Sequence, residues 1–204
     1  LDNGAIYHYM VAAHNAVGLG PLSSSVQAMP FTTPGAPTGL EAVPGNAQVE
    51  LSWNAPGSDG GVDIDHYVVF VDGVDVTHTS LLTFTVEGLI NGVEYNFTVA
   101  AHNTAGNGVP SSMVLATPFT VPGAPTDLLA SVNVTQVQIT WSAPADDGGA
   151  DIDHYIVYRD GEDFVHTAGT SYSYLEFDMG MHTFAVAAHN SAGIGNLSSL
   201  VEVE

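Results

Sequence analysis

Val49, Leu51 and Trp53 alternate with Glu50 and Ser52 in the stretch VELSW, and Val137, Ile139 and Trp141 repeat the alternation in VQITW. A period of two puts successive side chains on opposite faces, so both stretches read as half-buried strands. In NGVEYNFTVAAHN, Tyr95, Phe97, Val99 and Ala101 share one parity; Asn96, Thr98, Ala100 and His102 share the other. The aromatic and branched set belongs inside, which turns His102 outward. Asp72-Gly73 and Asp160-Gly161 each divide a pair of strand-like runs and predict the positive φ angles of a type I′ hairpin turn. No segment has helical periodicity.

The pattern recurs. AAHNAVGLG, AAHNTAGNG and AAHNSAGIG begin at Ala12, Ala100 and Ala187, with their histidines 88 and 87 residues apart. A period of that size is a domain rather than a solenoid repeat. PFTTPGAPTGL (30–40) and PFTVPGAPTDL (118–128) match end to end, and their proline and glycine content reads as linkers entering a first strand. Boundaries are expected near Pro34 and Pro122. Residues 1–33 match only 89–121, the last two strands of a unit, while 34–121 and 122–204 each hold about seven short strands.

The order PGAPTGL, VELSW, Y-x-V, NGVEYNFTVAAHN and GNGVPSS resembles the fibronectin type III domain as it occurs in extracellular proteins of bacteria and archaea. The resemblance implies an all-β chain of tandem, immunoglobulin-like, seven-stranded β-sandwiches, the first present as its last two strands. It makes Trp53 and Trp141 core tryptophans of the second strand. Tyr95 and Tyr7 become corner tyrosines, whose hydroxyls tie the penultimate strand to the turn before it. In the third unit FDMGMHTF is one residue shorter than LINGVEYNF and sets His182 in the corner position. The apolar face of the first unit, with Tyr7, Tyr9 and Val11, needs a cover, since an isolated hairpin is marginal in water. Either the parent chain continues upstream, or a neighbouring molecule adds the missing strands.

Charge narrows the function classes. Twenty-two acidic residues face one basic residue, Arg159, for a formal charge of −21. Such a surface cannot release counterions from phosphates or dock on anionic headgroups, so nucleic-acid partners and direct membrane binding are not expected. There is no cysteine, which removes thiol chemistry and cysteine metal sites. The chain has no 18-residue apolar run and starts without Met. It reads as a mature fragment or a window on a longer chain.

Carboxylates give the candidate chemistry. Asp59, Asp63 and Asp65 fall in GSDGGVDID, and Asp146, Asp147, Asp151 and Asp153 in ADDGGADID. Both stretches lie between the second and third strands, where flexible oxygen-rich loops suit calcium. Calcium is the ion these loops suit; no cofactor is expected. A solvated acidic loop is the alternative, because the EF-hand spacing is not met. His14, His102 and His189 recur with His66 and His154 of DIDHY, but none follows a familiar metal-ligand spacing. The resemblance sets His66 and His102 on paired strands as a cross-strand patch that protonation would charge. Asn96, Asn133 and Asn196 begin glycosylation sequons. No nucleophile elbow, zinc-protease motif or phosphate loop is present, so catalysis is not expected.

These features suit a non-catalytic structural or adhesive segment of a large extracellular or cell-surface protein, partnered by further copies of itself in a rod, fibre or envelope appendage. Spacer modules of a secreted polysaccharide-degrading enzyme are one alternative. A ectodomain binding ligand through HNTAGNG and HNSAGIG is another, although those loops lack the Trp, Tyr and Arg anchors of strong interfaces.

Overall fold

The computed structural model describes residues 1–134, 136–175 and 180–204, and every regular element among them is a strand. The first four strands are short: β1 (Tyr7–Tyr9), β2 (His14–Asn15), β3 (Gly18–Leu19) and β4 (Val26–Ala28). β1 pairs antiparallel with β4, and β2 with β3. They form the expected hairpin, and its apolar side chains are largely exposed: Val11 is 74% accessible.

The next eight strands are β5 (Thr38–Gly45), β6 (Gln48–Asn54), β7 (His66–Val71), β8 (Val74–Thr79), β9 (Thr83–Glu87), β10 (Tyr95–Asn103), β11 (Gly106–Asn107) and β12 (Val114–Ala116). They make one sheet in the order β5-β6-β9 and another in the order β11-β10-β7-β8, with β12 also on β10. The repeat thus carries one strand beyond the seven expected, the two-residue β11 in the turn that follows β10.

The pattern then recurs in β13 (Thr126–Asn133), β14 (Gln136–Ser142), β15 (His154–Arg159), β16 (Glu162–Thr167), β17 (Ser171–Leu175), β18 (His182–Asn190), β19 (Gly193–Leu197) and β20 (Val201–Val203). Its sheets run β13-β14-β17 and β16-β15-β18-β19, with β20 on β18.

Burial follows the parity of the sequence. Val137, Ile139 and Trp141 from one sheet pack with Tyr155, Val157, Phe184, Val186 and Ala188 from the other. The same positions of the middle repeat, including Val49, Leu51, Trp53, Phe97 and Val99, are buried. Ala100 departs from the expected outward set: it is 1% exposed, a short side chain on a central strand opposite Val68. Among the described residues, the buried side-chain polar atoms left without a partner are the indole nitrogens of Trp53 and Trp141. Each indole meets a tyrosine ring, Tyr67 or Tyr155, nearly edge-on.

Both hairpin turns are as predicted, with φ of 51° and 77° at Asp72-Gly73 and 53° and 83° at Asp160-Gly161. By contact the chain falls into two compact units. One holds Leu1–Val43, Glu50–Thr85 and Tyr95–Ala116; the other holds Pro44–Val49, Val86–Glu94 and Thr117–Glu204.

Candidate functional site: two aspartate–histidine–histidine clusters

The last residue of β10 that faces outward, His102, lies directly across from His66, which opens β7. The residue before the strand is Asp65, so one carboxylate stands at the mouth of a cross-strand histidine pair. Its Oδ1 is 2.6 Å from His66 Nδ1 and 2.8 Å from His102 Nδ1. The rings stack with centroids 4.3 Å apart. His78 of β8 stacks on the other face of His66 at 4.8 Å and has its own carboxylate, Asp75, at 3.1 Å. Three adjacent strands therefore carry a ladder of three imidazoles.

The next repeat builds the same object. His154 pairs with His189, their rings 4.4 Å apart, and Asp153 Oδ1 is 2.5 Å and 2.9 Å from the two Nδ1 atoms. His166 stacks on His154 at 5.0 Å and contacts Asp163 at 3.0 Å. An ionised carboxylate only accepts hydrogen bonds, so each Nδ1 that meets it carries the proton. The hydrogen bond from His102, together with the neighbouring His66 imidazole, holds the Asp65 carboxyl below its ordinary range. His189 and then His154 do the same for Asp153. Among the described residues, these two groups are the sets of three His, Asp or Glu whose ligand atoms converge.

The carboxylates read from sequence as a calcium set are thereby divided. Asp65 and Asp153 belong to the histidine clusters. Asp59, Asp146 and Asp147 instead accept hydrogen bonds from the backbone N–H groups of Gly61, Gly148 and Gly149 two residues on, the turn habit of short acids. Asp63 and Asp151 join neither cluster. Of the sequons, Asn133 and Asn196 are exposed and Asn96 is half-buried in β10. Thr135, the third sequon residue after Asn133, lies outside the described residues, while the Ser198 hydroxyl of the last sequon is engaged with Val186 N–H.

The repeated phrase has a second functional residue that parity alone hides. Asn103 and Asn190 follow the outward histidines, point inward and are 0% exposed. Asn103 Nδ2 donates to the carbonyls of Thr32 in the linker, at 2.8 Å, and Asp59 in the acidic loop, at 2.7 Å. Asn190 does so to Thr120 and Asp147, both at 2.8 Å. The linker N–H groups close the same gap: Thr32 donates to Gly60 and Thr120 to Gly148. A Cβ on Gly60 or Gly148, whose φ angles are +84° and +81°, would sit 2.1 Å from the linker carbonyl, so only glycine fits. A signal was present in the sequence, an Asn at the same place in all three copies.

The corner differs between repeats. In the first hairpin the Tyr7 hydroxyl accepts from the Asp2 N–H at 2.7 Å, as a corner tyrosine does. His182 holds the register position of Tyr95, pairing with Val203 where Tyr95 pairs with Ala116. Its Nδ1 meets Asp160 at 2.7 Å and its Nε2 meets the Arg159 guanidinium at 2.6 Å. Arg159 also lies 5.7 Å from the ring centres of Phe164 and Tyr174. The backbone N–H of Thr183, and then His182, hold the Asp160 carboxyl below its ordinary range. Phe177, Asp178 and Met179, the start of the shortened corner segment, lie outside the described residues.

Among the described residues, no helix is long and apolar enough to cross a membrane. Residues 35–117 match the family model of the fibronectin type III domain. The chain is 31% identical to Exoglucanase B of Cellulomonas fimi across 95% of its own length and 19% of that protein. It is 31% identical to the striated-muscle M-protein of Gallus gallus across 99% of its length and 16% of that protein. Chitinase A1 of Niallia circulans is 31% identical across 85% of this chain and 27% of that enzyme. The chain thus spans less than a third of each of these relatives, which include bacterial and animal proteins. The family match covers the middle repeat, and its strand order and register recur in β13 to β20, so the two repeats share the fibronectin type III fold.

Proposed function

We propose that the chain is a non-catalytic spacer and adhesive segment of a larger extracellular protein, whose repeats set a distance along a rod, surface fibre or envelope appendage. One observation carries this reading: each linker is bonded on both sides. Pro30 O accepts from Gly4 N–H of the preceding turn while Thr32 is held by Gly60 and Asn103 of the following repeat. Pro118 O accepts from Gly92 N–H in the same way, and Thr120 is held by Gly148 and Asn190. A linker tied at both ends holds its spacing more narrowly than a free one of equal length. Copies of the same protein are the expected partners, the exposed face of β1 and β4 offering a surface for added strands.

The chain has no cysteine, so spin labels can be placed at will. With cysteines introduced at Val17 and Ser199, pulsed dipolar spectroscopy should give one narrow, long distance. A broad distribution reaching short distances would sink the spacer reading. The likeness to Exoglucanase B and Chitinase A1 favours a second reading, in which the same spacer belongs to a polysaccharide-degrading enzyme. Depletion of the chain from solution by insoluble cellulose or chitin would move it from passive spacer to carbohydrate-binding accessory.

A further inference from the structure

We infer that each Asp–His–His cluster, Asp65–His66–His102 and Asp153–His154–His189, is a binding site for one borderline divalent transition-metal ion of the zinc, nickel or copper class. The donor set points there: two imidazole nitrogens and one carboxylate oxygen suit these ions, whereas calcium takes six to eight oxygens. In both clusters the two rings turn the same nitrogen, Nδ1, toward the same carboxylate. Hydrogen bonding alone would let the two histidines choose different oxygens or ring nitrogens.

The metal-free arrangement is already close to a binding geometry. A tetrahedral ion with arms of about 2.0–2.1 Å sets its ligand atoms about 3.3 Å apart. Nδ1 and Oδ1 at 2.6 and 2.8 Å in the first cluster therefore separate by about 0.5–0.7 Å, a small rotation for side chains at a surface. The ion takes the place of the two Nδ1 protons, which in neutral rings move to Nε2, so two nitrogen lone pairs become ligands without ring ionisation. Ring stacking between His66 and His102, tilted by 23°, and between His154 and His189, tilted by 27°, orients the pairs before binding. Strand register opposes the histidines directly, so the pre-arranged part of the site is made by the fold. Asp65 and Asp153 are about half exposed, which leaves the remaining coordination positions to water. A formal charge of −21 draws cations to the surface. His78 and His166 flank the sites by stacking and remain engaged with Asp75 and Asp163.

The test is calorimetric titration of the full chain, stripped of metal, with zinc chloride at neutral pH. Two zinc ions per chain are expected, falling to one in His102→Ala, one in His189→Ala and none in the double variant. The paired substitution Asp59→Asn with Asp63→Asn should leave two. If a histidine variant loses its strand signature in circular dichroism, Asp65→Asn and Asp153→Asn replace it. These keep side-chain shape and should weaken zinc binding at their own site by about tenfold or more. Cobalt loaded in place of zinc should give visible bands typical of mixed nitrogen and oxygen ligands, abolished by the double variant. No zinc binding at millimolar concentration, two zinc ions retained by the double variant, or loss of zinc in the Asp59/Asp63 variant would each overturn the inference.

Discussion

Val11 and Val99 stand at the same place in two copies of one phrase. Each exchanges the same pair of hydrogen bonds with a serine twelve residues on: Ser23 for Val11, Ser111 for Val99. Gly20 and Gly108 likewise donate to Ala13 and Ala101 at 2.8 Å. Yet Val99 is 0% exposed, and Val11 is 74% exposed. The backbone fittings of this strand and turn are therefore local, written in about thirty residues. Burial is not local, because it needs a second sheet that the first copy does not have within residues 1–33.

The largest expected effect comes from removing a ring on each side of that comparison. Phe97→Ala should destabilise its domain by about 3–5 kcal/mol in chemical denaturation, the usual cost of emptying a packed aromatic site. Tyr9, the matching residue, is 42% exposed, and Tyr9→Ala should change stability by no more than about 0.5 kcal/mol. A cost at Tyr9 that grows with protein concentration would instead reveal strands supplied by another copy.

Asparagine sharpens the same contrast at smaller scale. Asn15 accepts from the Val17 N–H two residues on, just as Asn103 accepts from Ala105. Only Asn103 also reaches the linker and acidic loop, and it is fully buried. Asn103→Ala should cost about 1–3 kcal/mol, because a fully buried amide and its bonds to two carbonyls are lost together. Asn15→Ala should fall within about 0.5 kcal/mol of the parent protein in the same urea titration.

The corner supplies the smallest effect and the one that depends on pH. The folded-state pKa of Asp160 is depressed by Thr183 N–H and His182. Its contribution is therefore present above the unfolded value of about 3.9 and is lost as pH falls through the lower folded value. Asp160→Asn should flatten the decline in thermal midpoint of the third repeat below about pH 4. Tyr7→Phe, which removes a hydroxyl and no carboxylate, should leave the shape of the acid decline unchanged.

Strand parity, the type I′ turns and the core tryptophans were legible because each is a local pattern with a period. Placing Asp65 and Asp153 in a calcium set followed from counting carboxylates along a loop. The structure shows that the last residue of such a loop already faces the neighbouring strand, where its partner lies 37 residues away in the middle repeat. Asn103 was hidden for a related reason. It occupies an inward position, where a polar side chain is costly unless paired, and its pairs are carbonyls of segments far away in sequence.

Those long reaches have a consequence in time. Asn103 closes on Thr32 across 71 residues and on Asp59 across 44, and Asn190 spans 70 and 43. On the ribosome a linker emerges well before the strand that will tie it down. Each joint therefore sets only after most of the domain downstream of it has been made. Domains completed earlier can fold while that joint is still slack, so folding of a unit and setting of its joint are separate events in time.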